Sequence, residues 1–301
     1  MTSKMSVQNS TVAVLMTCHN RRETTLCCLE SLYQAQIPED TATTVYLVDD
    51  GSTDGTGDAV RERYPDVNVL NGDGNLYWCG GTRMAWSEAM KQDYEYYLWL
   101  NDDTHICENA LRNMIDTAEV IRKIDGREGI VVGSTSNPET GKQTYGGVRR
   151  IGNMLGFELI EPQEKPLRCD TMNGNCVLIP RAVARVTGNL SDAFTHAIGD
   201  MDYGLRAGKD GFSCWIAPGY VGKCRRNQPP EWSNPAIGLM QRLGFMRTEK
   251  GISPREWYVF CRRHTGYLWF FYFVKPFLKV TSPSAYRKLK DIKKRFGNEN
   301  G

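Results

Sequence analysis

The chain has 301 residues, of which 41% are hydrophobic and 24% charged, with a formal net charge of +2. Such a chain can bury a sizeable core as one large domain or a domain with an appendage, and its small net charge gives no general pull toward nucleic acid. The charge is unevenly placed, since eight Lys/Arg and a single acid, Asp291, fall between Lys275 and Arg295.

In chain order, "TVAVLM" at 11–16 is a short apolar, β-branched run of the kind found in buried parallel strands. It is too short for the apolar region of a signal peptide. No run of about 18 apolar residues follows anywhere, so no span of a membrane is expected. "RETTLCCLESLYQAQ" at 22–36 has helical spacing, with Leu26, Leu29, Leu32 and Tyr33 on one face. "TTVYLVDDGSTDGT" at 43–56 reads as a strand and a turn broken by Gly51 and Gly55. A helix is expected over Thr56 to Arg63, a strand over 66–71, a helix over 80–92 and a strand over 96–101. This alternation predicts a three-layer α/β domain with a parallel sheet, whose ligands bind beyond the carboxyl ends of the strands. "TCHNRR", "DDGSTDGT" and "NDDTH" all lie at such ends and are expected to share one crevice.

From Gly129 the pattern changes. "GIVVGSTS" and "NCVLIP" read as strands, 143–160 as hairpin and loop, and 200–211 as a short helix stopped by Gly208. The Pro- and Asn-rich stretch after Gly219 predicts a boundary near 230, dividing the chain into 1–230 and 231–301. Beyond it, "SPREW" has the form of a capping box: Ser253 as N-cap, Pro254 at N1 and Glu256 at N3. "YLWFFYFVKPFLKV" followed by "YRKLKDIKKRF" places an aromatic-apolar patch beside a basic run, a combination suited to an anionic membrane surface. No stacking platform accompanies the basic run, so no nucleic-acid partner is expected. The ten cysteines are scattered without a CxxC pair, which points to buried thiols in a reducing compartment rather than to zinc or disulfides.

Several segments carry chemistry. Asp102 and Asp103 sit side by side at the end of an apolar strand, where like charges repel and burial is costly. A hard cation such as Mg2+ or Mn2+, held by Asp103 with Asp102 and by substrate phosphates, would pair them. Asp49 and Asp50 can accept hydrogen bonds from a base or ribose edge, or can simply form a turn that caps the next helix. In "GDGNLYWCGGTRMAW", Tyr77 and Trp78 can stack on a sugar or base, or pack in a tight strand-to-helix connection. Asp200 and Asp202 stand at the start of a short helix, where a carboxylate can take a proton from a hydroxyl or complement the helix dipole. Neither a GxGxxG nor a GxxxxGK[ST] loop is present, which removes the main support for dinucleotide and P-loop binding.

The ordered set "TCHNR", "VDDGSTDGT", "GNLYWCGG", "LNDDT", "NGNCVLIPR", "GDMDYGLRA" resembles the inverting family 2 glycosyltransferases with a GT-A fold, over about residues 11–226. Within that family it is similar to the rhamnosyltransferase-like branch that builds bacterial surface polysaccharides such as O-antigen and capsule. The resemblance implies a Rossmann-like α/β/α arrangement with a mostly parallel sheet, followed here by a C-terminal helical appendage. It implies a UDP- or dTDP-linked sugar donor, a divalent cation and a glycan or lipid-linked acceptor. By the same resemblance Thr17, Asn20 and Arg21 line the nucleotide site, Asp49 or Asp50 contacts the base, and Gly80 and Gly81 border the donor pocket beside Trp78. Asp102 lies near the ribose, Asp103 binds the metal, and Asp200 is the catalytic base.

The chain departs from the family pattern at two positions: Gly199 stands where a Glu is usual, and Asn101 where the first Asp of the acidic triplet is usual. Many members of the family it resembles place a late metal- or phosphate-contacting histidine where "PGYVGKCRRN" has none, so Lys223, Arg225 or Arg226 is expected to neutralise the leaving diphosphate instead, and Asp202 to touch the acceptor or the leaving group. The expected location is cytoplasmic, peripheral on the inner face of the membrane. Two alternatives remain at this stage. A nucleotidyltransferase would need a basic, glycine-rich loop where "TCHNRRETT" stands, and a non-catalytic nucleotide-sugar-binding partner is kept open by Gly199 and Asn101.

Overall fold

A computed structural model describes residues 10–151, 156–228, 232, 234, 236–246, 248, 251 and 253–282. The run "YRKLKDIKKRF" lies outside the described residues. The chain divides into two compact units, Met1–Arg226 and Asn227–Gly301.

In the first unit the β-branched and aliphatic runs form the centre of one sheet. Strands β1 (Ser10–Cys18), β2 (Thr41–Asp49), β3 (Asn68–Asn71) and β4 (Tyr96–Leu100) pair in parallel in the order β4-β1-β2-β3. A two-residue strand, β5 (His105–Ile106), follows β4. Beyond β4 the sheet continues through β12 (Cys176–Pro180), β6 (Ile130–Ser136), β13 (Cys214–Lys223) and β10 (Leu167–Cys169). β12 runs antiparallel to both neighbours, while β13 is parallel to β6. β7 (Gln143–Tyr145) pairs with β6, and β8 (Gly147–Arg150), β9 (Phe157–Leu159) and β11 (Thr171–Met172) form a small second sheet. The expected hairpin material is there, split between the two sheets.

Alternate residues of β1 feed opposite faces, as strand geometry requires. Val12, Val14 and Met16 pack with Leu29 of α1 (Arg22–Gln34), Val60 of α2 (Thr56–Arg63) and Met114 of α4 (Ala110–Asp125). Ala13 and Leu15 pack with Trp86 of α3 (Tyr77–Ala89), Val183 of α5 (Arg181–Thr187) and Tyr203 of α6 (Gly199–Lys209). Both sheet faces are therefore covered, which gives the expected three-layer α/β/α architecture with a mostly parallel sheet.

Because β1, β2 and β4 are parallel, the segments after Cys18, Asp49 and Leu100 emerge at one edge. All ten cysteines are free and seven are buried. In the second unit, α7 (Leu239–Met246), α8 (Pro254–His264) and α9 (Trp269–Thr281) are helices. Ser253 is the N-cap of α8 and Pro254 its first residue, but the serine side chain makes no capping hydrogen bond. The serine half of the capping box expected from the sequence is thus realised in position but not in bonding.

Candidate functional site

The three strand-end segments interlock. Asn20, in the left-handed region at φ 50°, accepts from the Thr53 N–H at 2.7 Å through Oδ1 and donates its own N–H to Ser52 Oγ at 2.9 Å. His19 Nδ1 donates to the Asp50 carbonyl at 2.6 Å. The loops after β1 and β2 are therefore one body.

Asp50 is buried and accepts three backbone N–H groups: Gly74 at 2.9 Å, Leu76 at 3.0 Å and Tyr77 at 2.9 Å. A helix leaves its first amides unsatisfied, and here a carboxylate from the end of β2 takes them. That explains why α3 begins at Tyr77, three residues before the start read from the sequence. Asp49 accepts the Ser52 N–H at 3.1 Å and lies against Gly57 in the first turn of α2. Both aspartates thus shape the crevice wall. Gly80 and Gly81 are buried in the first turns of α3, and Gly81 packs so closely on Thr17 that any side chain there would overlap the threonine.

The acidic triplet follows β4. One guanidinium nitrogen of Arg21, Nη1, lies 3.0 Å from Asp102 Oδ1 and 3.1 Å from Asp103 Oδ2. Asp102 is buried and also accepts from Thr25 Oγ1 at 3.4 Å. Burial pushes its carboxyl up to about 6, with Arg21 opposing and Asp103 adding to the rise. Asp103 is more open and receives the Cys224 thiol on Oδ1 at 3.5 Å. The positive group beside the paired carboxylates is in the first instance an arginine.

Asn101 has a different task from its neighbours. Its Oδ1 accepts the Trp78 indole N–H at 2.6 Å, and its own N–H donates to the Asn175 carbonyl at 2.9 Å. An amide oxygen at this position ties the triplet to the first turn of α3. Trp78 packs edge-on against Trp99 at 5.7 Å, which is the packing alternative of the two that the sequence left open. Its other neighbour is Gly174. A Cβ on Gly174 would lie 2.5 Å from Trp78 Cη2 and 3.3 Å from Asp200 Cβ. Only glycine lets the indole and the aspartate approach across that strand connection.

Asp200 is half-buried at the start of α6 and accepts from Gly174 N at 2.9 Å and Met201 N at 2.7 Å. Burial raises its pKa, and the two backbone N–H groups oppose the rise. The preceding Ile198 sits at φ 58°, an unusual conformation for a β-branched residue, and holds the turn that presents Asp200. Asn20, Tyr77 and Ile198 are the positive-φ residues other than glycine among the described residues, and all three border this crevice. Gly199, in place of a glutamate, packs on Cys79: a Cβ there would lie 2.5 Å from Sγ.

Three further expected residues have surroundings of their own. Asp202 is fully buried and pairs with Arg206 at 2.9 Å, one helical turn along α6. Arg206 in turn donates to the carbonyls of Thr187 and Asn189, so Asp202 belongs to the packing of α6 and not to an acceptor surface. Arg225 is exposed and ion-paired with Glu139 at 2.6 Å. Lys223 is the exposed last residue of β13, opposite His105 and Ser136 in the ladders. The sequence reading overlooked Gly174, Asn175 and Cys224. "NGNC" was the available signal for the first two, and nothing local marks the third.

The two carboxylates on one Arg21 nitrogen offer the hard oxygen donors that Mg2+ or Mn2+ takes. Among the described residues no group of three or more metal-ligating side chains occurs. The donor set therefore fits a cation held largely by a substrate's phosphates and water, not by a protein cage.

The chain is similar to known proteins. The signature of Glycosyl transferase family 2 matches residues 13–187. N-acetylglucosaminyl-diphospho-decaprenol L-rhamnosyltransferase from two strains of Mycobacterium tuberculosis is 25% identical over 202 residues. That match covers 58% of this chain and 64% of the relative, so the chain spans less than two thirds of its length. Among solved structures, S. aureus TarS in complex with UDP-GlcNAc matches with TM-score 0.52 and 13% identity, over 82% of this chain and 66% of that one. A mannosyltransferase of Pyrobaculum calidifontis, in complex with GDP-Man and Mn2+, matches with TM-score 0.53 and 16% identity, over 92% and 75%. At such identities the two structures establish a shared fold.

Proposed function

The chain belongs to Glycosyl transferase family 2, and from that membership we propose that it moves a sugar from a UDP- or dTDP-linked donor to a hydroxyl of a glycan or lipid-linked acceptor, with inversion at the anomeric carbon. Family membership favours glycosyl transfer over the nucleotidyl transfer that sequence reading had left open. One observation carries the mechanistic part. A continuous set of contacts runs from the Asp102–Asp103 pair through Asn101, Trp78 and Gly174 to Asp200.

In this reading Thr17, Asn20 and Arg21 line the nucleotide pocket, with Gly80 and Gly81 at its border, and Asp49 or Asp50 reads the base. Asp102 lies beside the ribose, and Asp103, with Asp102 next to it, holds the divalent cation. When bound, that cation supplies positive charge to the leaving nucleoside diphosphate. Arg21, close to both carboxylates and 45% exposed, can reach the same phosphates. Asp200 takes the proton of the acceptor hydroxyl as its oxygen attacks the anomeric carbon from the face opposite the leaving diphosphate. The C–O bond to the acceptor forms as the bond to the diphosphate breaks, and one such displacement inverts the centre. A base with a raised pKa suits that task near neutral pH.

The acceptor is proposed to be carried by a lipid, with the protein peripheral on the cytoplasmic face of a membrane. The support is α9, which is apolar on both sides. Tyr272, Pro276 and Val280 are buried, while Phe271 and Leu278, two helical turns apart, are 72% and 59% exposed. Among the described residues no helix is long and apolar enough to cross a membrane. A 13-residue helix spans about 20 Å, against a hydrocarbon core of about 30 Å, so such a helix would lie in the interface.

The test of the transfer reaction is release of nucleoside diphosphate from a panel of UDP- and dTDP-sugars with a short prenyl-diphosphate glycan as acceptor. Asp200→Asn should lose turnover by ~10²–10⁴-fold while donor affinity stays near wild type. Turnover by Asp200→Asn close to that of the wild type would remove Asp200 from the role of base.

A further inference from the structure

The same Arg21 nitrogen that bridges Asp102 and Asp103 stands where a cation held by those two carboxylates would have to sit. We infer that Arg21 is a built-in competitor for the cation site: it neutralises the acidic pair until a nucleotide diphosphate draws it away, so that the divalent ion enters with the nucleotide and not before it. This inference rests on the reading of Asp103, with Asp102, as the cation-holding pair.

The geometry supports it in three ways. First, Nη1 makes charge-assisted contacts of 3.0 and 3.1 Å to one oxygen of each carboxylate, so a single group satisfies both. Second, Arg21 is the N-cap residue of α1 at the end of β1, and its side chain is 45% exposed. It is anchored at the crevice by its backbone but its head is open on the solvent side. Third, the remaining partners of the pair are weak donors: the Thr25 hydroxyl at 3.4 Å to Asp102 and the Cys224 thiol at 3.5 Å to Asp103. Without Arg21 two adjacent carboxylates would face each other with little to offset their repulsion, and a divalent ion would be the natural replacement. An incoming diphosphate offers the guanidinium the same fork-like recognition that a carboxylate does. Its arrival therefore releases the pair and supplies the ion's other oxygen ligands together.

Arg21 is then a positioning residue, and its role can be read without turnover. Mn2+ binding is measured by titration calorimetry at pH 8 on the full chain, with and without UDP or dTDP. The wild type should bind Mn2+ weakly alone and tightly with nucleotide. Arg21→Gln should bind Mn2+ alone roughly tenfold tighter than the wild type, the scale of two partly exposed ion pairs. Asp103→Asn in the Arg21→Gln background should abolish that gain. Arg21→Lys, which keeps the charge but not the fork, should fall between, and serves if the glutamine variant does not fold. Mn2+ affinity in the absence of nucleotide that is equal in wild type, Arg21→Gln and Arg21→Lys, alongside nucleotide-dependent binding by the wild type, overturns the inference alone. Failure of the wild type to bind Mn2+ even with nucleotide overturns the cation-site reading and the inference with it.

Discussion

The contact between Gly174, Trp78 and Asp200 can be tested by a single added methyl group. In Gly174→Ala the new Cβ would start 2.5 Å from Trp78 Cη2 and 3.3 Å from Asp200 Cβ, where ordinary contacts are 3.4–4 Å. The indole must therefore move by about 1 Å, against a hydrogen bond to Asn101 of 2.6 Å and the edge-on packing on Trp99. Overpacking of this kind costs ~1–3 kcal/mol, which urea unfolding resolves. The decisive arm is a double-mutant cycle. Trp78→Phe removes the outer ring that carries Cη2, so in that background Gly174→Ala should cost under about 0.5 kcal/mol. A misplacement near 1 Å beside a catalytic base can cost ~10²-fold in rate, so Gly174→Ala should also lose activity beyond its loss of stability. An equal cost of Gly174→Ala in both backgrounds would refute the claim that Trp78 and Asp200 meet across this glycine.

Further expectations follow from the same geometry. Because burial raises the Asp200 pKa from its ordinary value, turnover should rise with pH through that raised value and level off above it. A pH–rate profile in which the acidic limb lies at an ordinary carboxylate value contradicts this. The raised carboxyl of Asp102, near 6, has a stability counterpart. Between its ordinary 3.8 and about 6 the native state holds a proton that the unfolded chain has released, so this group's contribution to stability declines as pH rises across that window. Comparing urea unfolding of the wild type with Asp102→Asn at several pH values shows it, and identical pH slopes would contradict it. Asp202→Ala leaves Arg206 without its buried partner and should destabilise the fold by ~3–5 kcal/mol, measured by chemical denaturation; a near-neutral effect would return Asp202 to the site. Phe271→Glu with Leu278→Glu should abolish co-sedimentation with anionic vesicles and leave the fold intact by circular dichroism. Unchanged sedimentation would sink the interfacial reading of α9.

The parallel-sheet core was legible because β1, β2 and β4 are short, apolar and β-branched or aromatic, and because each ends in a polar turn. α2 was read from Thr56 to Arg63, the bounds it has. The start of α3 was read late because its first amides are taken by Asp50, from the end of β2 and some 26 residues upstream. No local capping signal exists in the sequence for such a bond. The Asp102–Asp103 pair announced itself by its repulsion, yet its partner Arg21 is 81 residues away. Cys224 lies 121 residues from Asp103 and meets it because the end of β13 pairs with β5, which begins two residues after Asp103. Trp78 was visible as an aromatic in a glycine-rich loop. Its bond to Asn101 depends on the approach of the first turn of α3 to the end of β4, which spacing does not encode. Asp202 misled because helix N-terminal acids look alike in sequence, while burial and Arg206 decide which one faces solvent.

The most direct test of the account is thermal unfolding of the protein with UDP and with dTDP, each with and without Mn2+. The account predicts a rise in melting temperature with one of these nucleotides that needs the metal and disappears in Asp103→Ala. A transition that no nucleotide shifts, with or without Mn2+, would contradict the assignment of this crevice as a nucleotide-sugar site.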